Sequence, residues 1–191
     1  METIEADPVF FRKAAEENDL LVQPLATDAD LDILKTLDLP AILTFYLPNH
    51  AWPKYLTLAE IDADTVYLDA GDQGGLSTVN QKDLLRFWSG EAYILWKNFL
   101  ALDNIIYADS ETKSVITLKK LLTDLDYTVD LSSSKYDAKT IQSIINIQQE
   151  NGLEVDGMVG PFTKIMLYNE KGDFIKPSLV KKTKTMTENG R

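Results

Sequence analysis

Residues 151–163 read Asn151-Gly152-Leu153-Glu154-Val155-Asp156-Gly157-Met158-Val159-Gly160-Pro161-Phe162-Thr163. This run closes one helix and opens another. Asn151-Gly152 is a helix terminator, because glycine takes the left-handed conformation without a Cβ clash. Leu153 supplies an apolar anchor, Asp156-Gly157 a turn, and Gly160-Pro161 a restart, since proline suits a first helical turn. Two helices are therefore predicted to meet at a fixed angle around Leu153 and Val159.

The pattern extends outward in both directions. Upstream, Asp137 is placed to cap a helix in which Ile141, Ile144, Ile145 and Gln148 share a side. Before it, a polar loop covers 128–135, and Val115, Leu118, Leu122 and Leu125 mark one face of an earlier amphipathic helix. Downstream, the third helix runs to about Tyr168. Residues 113–172 thus read as an all-α unit, preceded by a bridge over 101–112. Residues 173–191 are basic and read as a disordered tail, with Lys181, Lys182 and Lys184 as its charges.

Residues 1–100 read differently. A helix is predicted over 8–22 and a short one over 30–37, capped by Asp30. Strand signals follow at 41–47, bounded by Pro40 and Pro48, then at 55–61 and 65–68 around the Asp62-Ala63-Asp64 turn, and at 77–79. A helix over 81–88 and a strand over 92–96 complete the set. Helices followed by an antiparallel sheet make this an α+β domain.

Composition narrows the chemistry. The 191 residues carry 19 Lys and Arg against 30 Asp and Glu, a net charge of −11. The first 100 residues hold 7 basic and 17 acidic side chains, a net of −10, whereas the last 18 hold 5 and 1, a net of +4. So acidic a body repels phosphate backbones, and no nucleic-acid partner is expected. There is no cysteine, which removes disulfides, thiolate metal ligands and a thiol nucleophile. The single histidine, His50, lies in a proline-flanked loop and reads as an exposed imidazole. No run of ~18 apolar residues occurs, so no membrane insertion is expected within the chain. Met1 to Asp7 has three acids and no basic residue, unlike a secretory signal, and points either to the cytoplasm or to a piece of a longer exported protein. Asp69-x-x-Asp72 with its glycines lacks the spacing of a calcium loop, and no metal or other cofactor is expected. Trp88 and Trp96 read as core, and Trp52 as exposed.

The 113–169 segment resembles the three-helix peptidoglycan-binding domain of bacterial cell-wall proteins. Asp126-Tyr127 stands where that family has Gly-Tyr, Ile147-Gln148 where it has Phe-Gln, and Asn151 to Thr163 fits closely. Upstream, Leu37 to Leu43, Tyr55 to Leu58, Asp69, and Trp88-x-Gly90 followed by Leu95-Trp96 resemble a papain-like, C39-type peptidase domain. The order of the two resembles the periplasmic region of general secretion pathway protein A. Within that resemblance, Lys54 stands where active peptidases have histidine and Asp69 where they have the orienting acid; Asp69 reads as a turn residue, with an ion pair to Lys54 as the alternative. With no thiol present, the first domain reads as a pseudoenzyme.

What the resemblance implies is a non-catalytic, periplasmic module that binds peptidoglycan and anchors a type II secretion assembly component to the cell wall, with an inner-membrane secretion protein as a second partner. The ligand residues expected are Tyr127, Gln148, Asn151 and Asp156. Tyr127 offers a face and a hydroxyl, the two amides match peptide groups, and Asp156 suits a diaminopimelate amine; the other reading of Asn151 and above all of Asp156 is that they satisfy turn backbone amides. Loss of the aromatic at Ile147 is expected to weaken the groove. Two other readings stand beside this one: a protein-interaction module of a secretion or wall complex, and a metal-dependent wall hydrolase.

Overall fold

The computed structural model describes residues 7–71, 75–108, 110 and 112–180. The first part runs α1 (Asp7–Glu16), β1 (Leu21–Ala26), α2 (Asp32–Leu37), β2 (Ala41–Phe45), β3 (Lys54–Asp62), β4 (Thr65–Asp69), β5 (Ser77–Asn80), α3 (Gln81–Leu85) and β6 (Glu91–Trp96). The second part is α4 (Lys113–Asp124), α5 (Ala138–Glu150) and α6 (Pro161–Lys171). The strands form one sheet in the order β1-β6-β2-β3-β4-β5, with every neighbour antiparallel. The α+β class and the division into a sheet part and a three-helix part are as expected.

Side-chain alternation sorts the sheet into two faces. Ala41, Leu43, Phe45, Leu58, Ala92, Ile94 and Trp96 share the buried face. They belong to one continuous core with Leu34 and Leu37 of α2 and with Val115, Leu118, Leu122, Ile144, Ile147 and Ile165 of the bundle. On the other face Phe11 of α1 meets Tyr55 and Tyr93, both at 5.0 Å between ring centroids.

Three expectations are corrected. The helix predicted over 8–22 stops at Glu16. Asn18 Nδ2 folds back to the Ala14 carbonyl at 3.0 Å and Asp19 turns to φ 55, after which residues 21–26 become the edge strand beside β6. Pro24 lacks an N–H, and an edge strand is where a sheet tolerates it. Pairing with β6 overrides the helical pattern.

The 101–112 bridge is not a free linker. Leu102 and Ile106 are buried, and Ile106 exchanges backbone bonds with Val159, N–H to carbonyl at 3.3 Å one way and 2.8 Å the other. Apolar side chains at these two positions draw the segment into the bundle. Nor is the chain after 173 a tail throughout. Phe174 stacks on Phe99 at 4.7 Å, and Leu179 is fully buried. Residues 181–191, with Lys181, Lys182 and Lys184, lie outside the described residues.

The two parts are joined by polar contacts as well as by the core. Lys164 in α6 donates to the Asp103 and Asn104 carbonyls, both at 2.7 Å, and its ammonium lies 5.9 Å over the Trp96 ring. Tyr168 donates to Asn98 at 2.8 Å, and Asn169 donates to the Leu37 carbonyl at the end of α2 at 3.0 Å.

Candidate functional site

The bundle is organised by two helix ends of the same design. At the end of α5, Gly152 has φ 63, its N–H reaches the Gln149 carbonyl at 3.3 Å, and the Leu153 N–H reaches the Gln148 carbonyl at 2.9 Å. This paired closure satisfies carbonyls that a helix end leaves open. At the end of α4 the same bonds run from Asp126 to Thr123 at 3.1 Å and from Tyr127 to Leu122 at 2.9 Å. Asp126 holds the left-handed position, φ 64, where the resembling family has glycine. Asp137 caps α5, accepting the Thr140 N–H at 3.0 Å, as its position before the helix led one to expect.

Gln148 is the hub of the loop that follows. It is 2 % exposed. Its Nε2 donates to Asp156 Oδ1 at 2.8 Å and to the Met158 carbonyl at 3.0 Å, with Thr163 Oγ1 at 3.3 Å, and its Oε1 accepts the Gly157 N–H at 2.9 Å. Gly157 has φ 68, a conformation that favours glycine, and a Cβ there would stand 3.1 Å from Ile141 Cγ2, which would have to give way. Tyr136, wholly buried, donates to the Gly157 carbonyl at 2.6 Å.

The loop so fixed frames a depression of about 180 Å³ lined by Leu153, Glu154, Asp156, Met158, Pro161 and Phe162, with Gln148 and Thr163 beneath. It combines two carboxylates with apolar surface. Glu154 and Asp156 are exposed.

Of the four expected ligand residues, Gln148 and Asp156 come together at this depression. Asp156 Oδ1 also accepts the Met158 N–H at 2.8 Å, so one of its oxygens shapes the loop. Asn151 instead donates to the Ile147 carbonyl at 2.8 Å, at the C-terminus of α5. Tyr127 donates to Glu170 Oε2 at 3.2 Å, away from the depression. Its hydroxyl is pushed up to about 12 by burial and by that glutamate, so it stays protonated. Ile147 is fully buried. The aliphatic side chain there belongs to the core, so replacing the family's aromatic changes packing and not the lining of the depression. Sequence reasoning missed Glu154, Met158 and Phe162. Their signal was their spacing around the Asp156-Gly157 turn, which places them on the rim.

In the sheet part, Lys54 opens β3 and Asp69 closes β4. Asp69 Oδ1 accepts the Gly71 N–H at 2.8 Å, a turn contact, and no ion pair joins it to Lys54 among the described residues. Asp69 is thus a turn residue, as expected, and the alternative ion pair to Lys54 is not formed. Residues 72–74 lie outside the described residues. His50 is exposed in the loop after β2. Trp88 and Trp96 are each 4 % exposed and Trp52 is 75 % exposed, as expected. Among the described residues no three His, Asp or Glu side chains gather as metal ligands would.

Residues 111–167 match a family model described as "Putative peptidoglycan binding domain". The match covers α4, α5 and α6 as far as residue 167. No curated protein matches the chain. Among solved structures, the periplasmic domain of the EpsAB fusion protein of the Vibrio vulnificus type II secretion system aligns at 21% identity, over 83% of this chain and 68% of that one, with a TM-score of 0.48. The N-terminal peptidase C39 like domain of the toxin secretion ATP-binding protein from Vibrio parahaemolyticus aligns at 21% identity, over 49% of this chain and 71% of that one, with a TM-score of 0.38. A peptidoglycan-binding protein from Clostridioides difficile aligns at 16% identity, over 85% of this chain and 99% of that one, with a TM-score of 0.33.

Proposed function

We propose that the chain binds peptidoglycan noncovalently through its three-helix unit and hydrolyses none of it. The observation that carries this reading is the family-model match over 111–167, which falls on the unit whose 153–163 loop frames the depression. Glu154 and Asp156 on its rim suit a free amine on a stem peptide, while Met158 and Phe162 suit the apolar faces of a peptide or sugar. Gln148 acts by holding the loop. Tyr127 and Asn151 shape the helix ends on either side. The sheet part serves as a scaffold. It has no thiol, and the resemblance of its order to a secretion-pathway periplasmic region supports a periplasmic anchor for a secretion assembly component, with peptidoglycan and an inner-membrane protein as partners.

Sedimentation with purified sacculi, read beside the release of soluble muropeptides, tests this. Co-sedimentation without release is the expected result. Release of muropeptides, or a supernatant holding all of the protein, would overturn it.

A further inference from the structure

The chain leaving α6 returns to the sheet part and is gripped there. Asp38, just past α2, has φ 49. Its Oδ1 accepts the N–H groups of Leu179 at 2.8 Å and Val180 at 2.9 Å and the Ser178 hydroxyl at 2.8 Å. Lys176 Nζ lies 3.3 Å from Asp38 Oδ2 and donates to the Asp38 carbonyl at 2.8 Å. The Leu179 carbonyl accepts the Ile61 N–H at 2.7 Å, and Val180 bridges Ile61 in parallel. This stretch of β3 has an open edge because pairing with β2 ends at Leu58, while on its other side β4 pairs with it as far as Asp62. The Leu179 side chain is fully buried, whereas Ile175 is 98 % and Val180 39 % exposed.

These are the parts of an extended-peptide site. A carboxylate reads two successive backbone N–H groups, a strand edge supplies another, and a socket takes one aliphatic side chain. Asp38 also selects a lysine three residues ahead of that side chain. We infer that the groove between Asp38 and the β3 edge is a peptide-recognition site, held closed in cis by residues 176–180, which takes in trans a partner segment with lysine three residues before leucine. The tethered occupant competes at high effective concentration, which keeps the groove filled. Among the described residues its hold covers 176–180, and a segment fixed so locally opens without unfolding the rest.

A fluorescein-labelled peptide with the sequence of residues 174–180 tests this by anisotropy against the full chain. The Leu179→Asp variant ejects the strap and is expected to bind the peptide at least about tenfold more tightly than the unaltered chain. The same peptide carrying Leu179→Asp or Lys176→Ala is expected to lose about tenfold or more. Near-UV circular dichroism reports whether the protein variant keeps its packing. If it does not, amide exchange in the unaltered chain replaces it: excess unaltered peptide is expected to speed exchange at Leu179 and Val180, and the altered peptides to leave it unchanged. Equal binding of all three peptides, or no binding and no change in exchange, would overturn the inference.

Discussion

At the scale of single residues, Asp126 is the clearest compromise in the bundle. It occupies a left-handed position at φ 64, which costs a residue with a Cβ about 1 kcal/mol relative to glycine. Asp126→Gly is therefore expected to raise the melting temperature by about 2–4 °C in a chain of this size, measured by calorimetry. No change, or a fall, would show that the aspartate is held by something the backbone does not reveal. Glu154 and Gln148 separate contact from support. Glu154 is exposed on the rim, and Glu154→Gln is expected to weaken retention on sacculi while leaving the melting temperature within about 1 °C. Gln148→Met keeps the volume but strands the Gly157 N–H, costing about 1–3 kcal/mol, so melting temperature and sacculus binding are expected to fall together. The sequence exposed this difference only in part. The spacing from Asn151 to Thr163 announced the loop, but whether an amide faces ligand or loop depends on burial, and Gln148 at 2 % exposure faces the loop.

At the scale of elements, the strap from Lys176 to Val180 depends on one carboxylate. Burial alone would raise the Asp38 pKa, but the Val180 backbone N–H, the Ser178 hydroxyl and Lys176 together bring it below its ordinary 3.8. A lowered carboxyl pKa stabilises the strap fully above the ordinary value, and the contribution is lost as pH falls through the lower folded value. Amide protection at Leu179 and Val180 is thus expected to hold at neutral pH and to fade in that acid window, and Asp38→Asn to remove this pH dependence. Protection that is indifferent to acid in the unaltered chain would refute the assignment. Elements bounded by proline or glycine were legible in the sequence: β2 after Pro40, α6 at Pro161, the end of α5 at Gly152. β1 was not, because residues 21–26 carry a proline and little alternation, and only their pairing with β6 makes them a strand. The strap was hidden for a related reason. A stretch with a lone leucine looks unstructured until a distant aspartate and an open strand edge give it partners.

At the scale of the whole molecule, sheet and bundle share one core, so a single cooperative unfolding transition is expected by calorimetry. Two resolved transitions would contradict the continuous core. Lys164 sits at the junction, and burial brings its ammonium down to about 8. Its unfolded form binds more protons between that value and the ordinary 10.5, so its contribution to stability is expected to rise with pH across this window. A Lys164→Met variant should lack that rise, which denaturant titrations at pH 7 and pH 10 would reveal. The domain order was readable from composition and motif, but the seam was not, since nothing in the sequence pairs Asn169 with the end of α2 or Tyr168 with Asn98. Those contacts bear on any attempt to graft the three helices onto another protein. A cut placed just ahead of α4 would strip Lys164 of both carbonyl acceptors, remove Phe99 from its ring contacts with Tyr168 and Phe174, and leave Asn169 with no helix end to close. A graft beginning at Asn98 would carry Phe99, Asp103 and Asn104 with it.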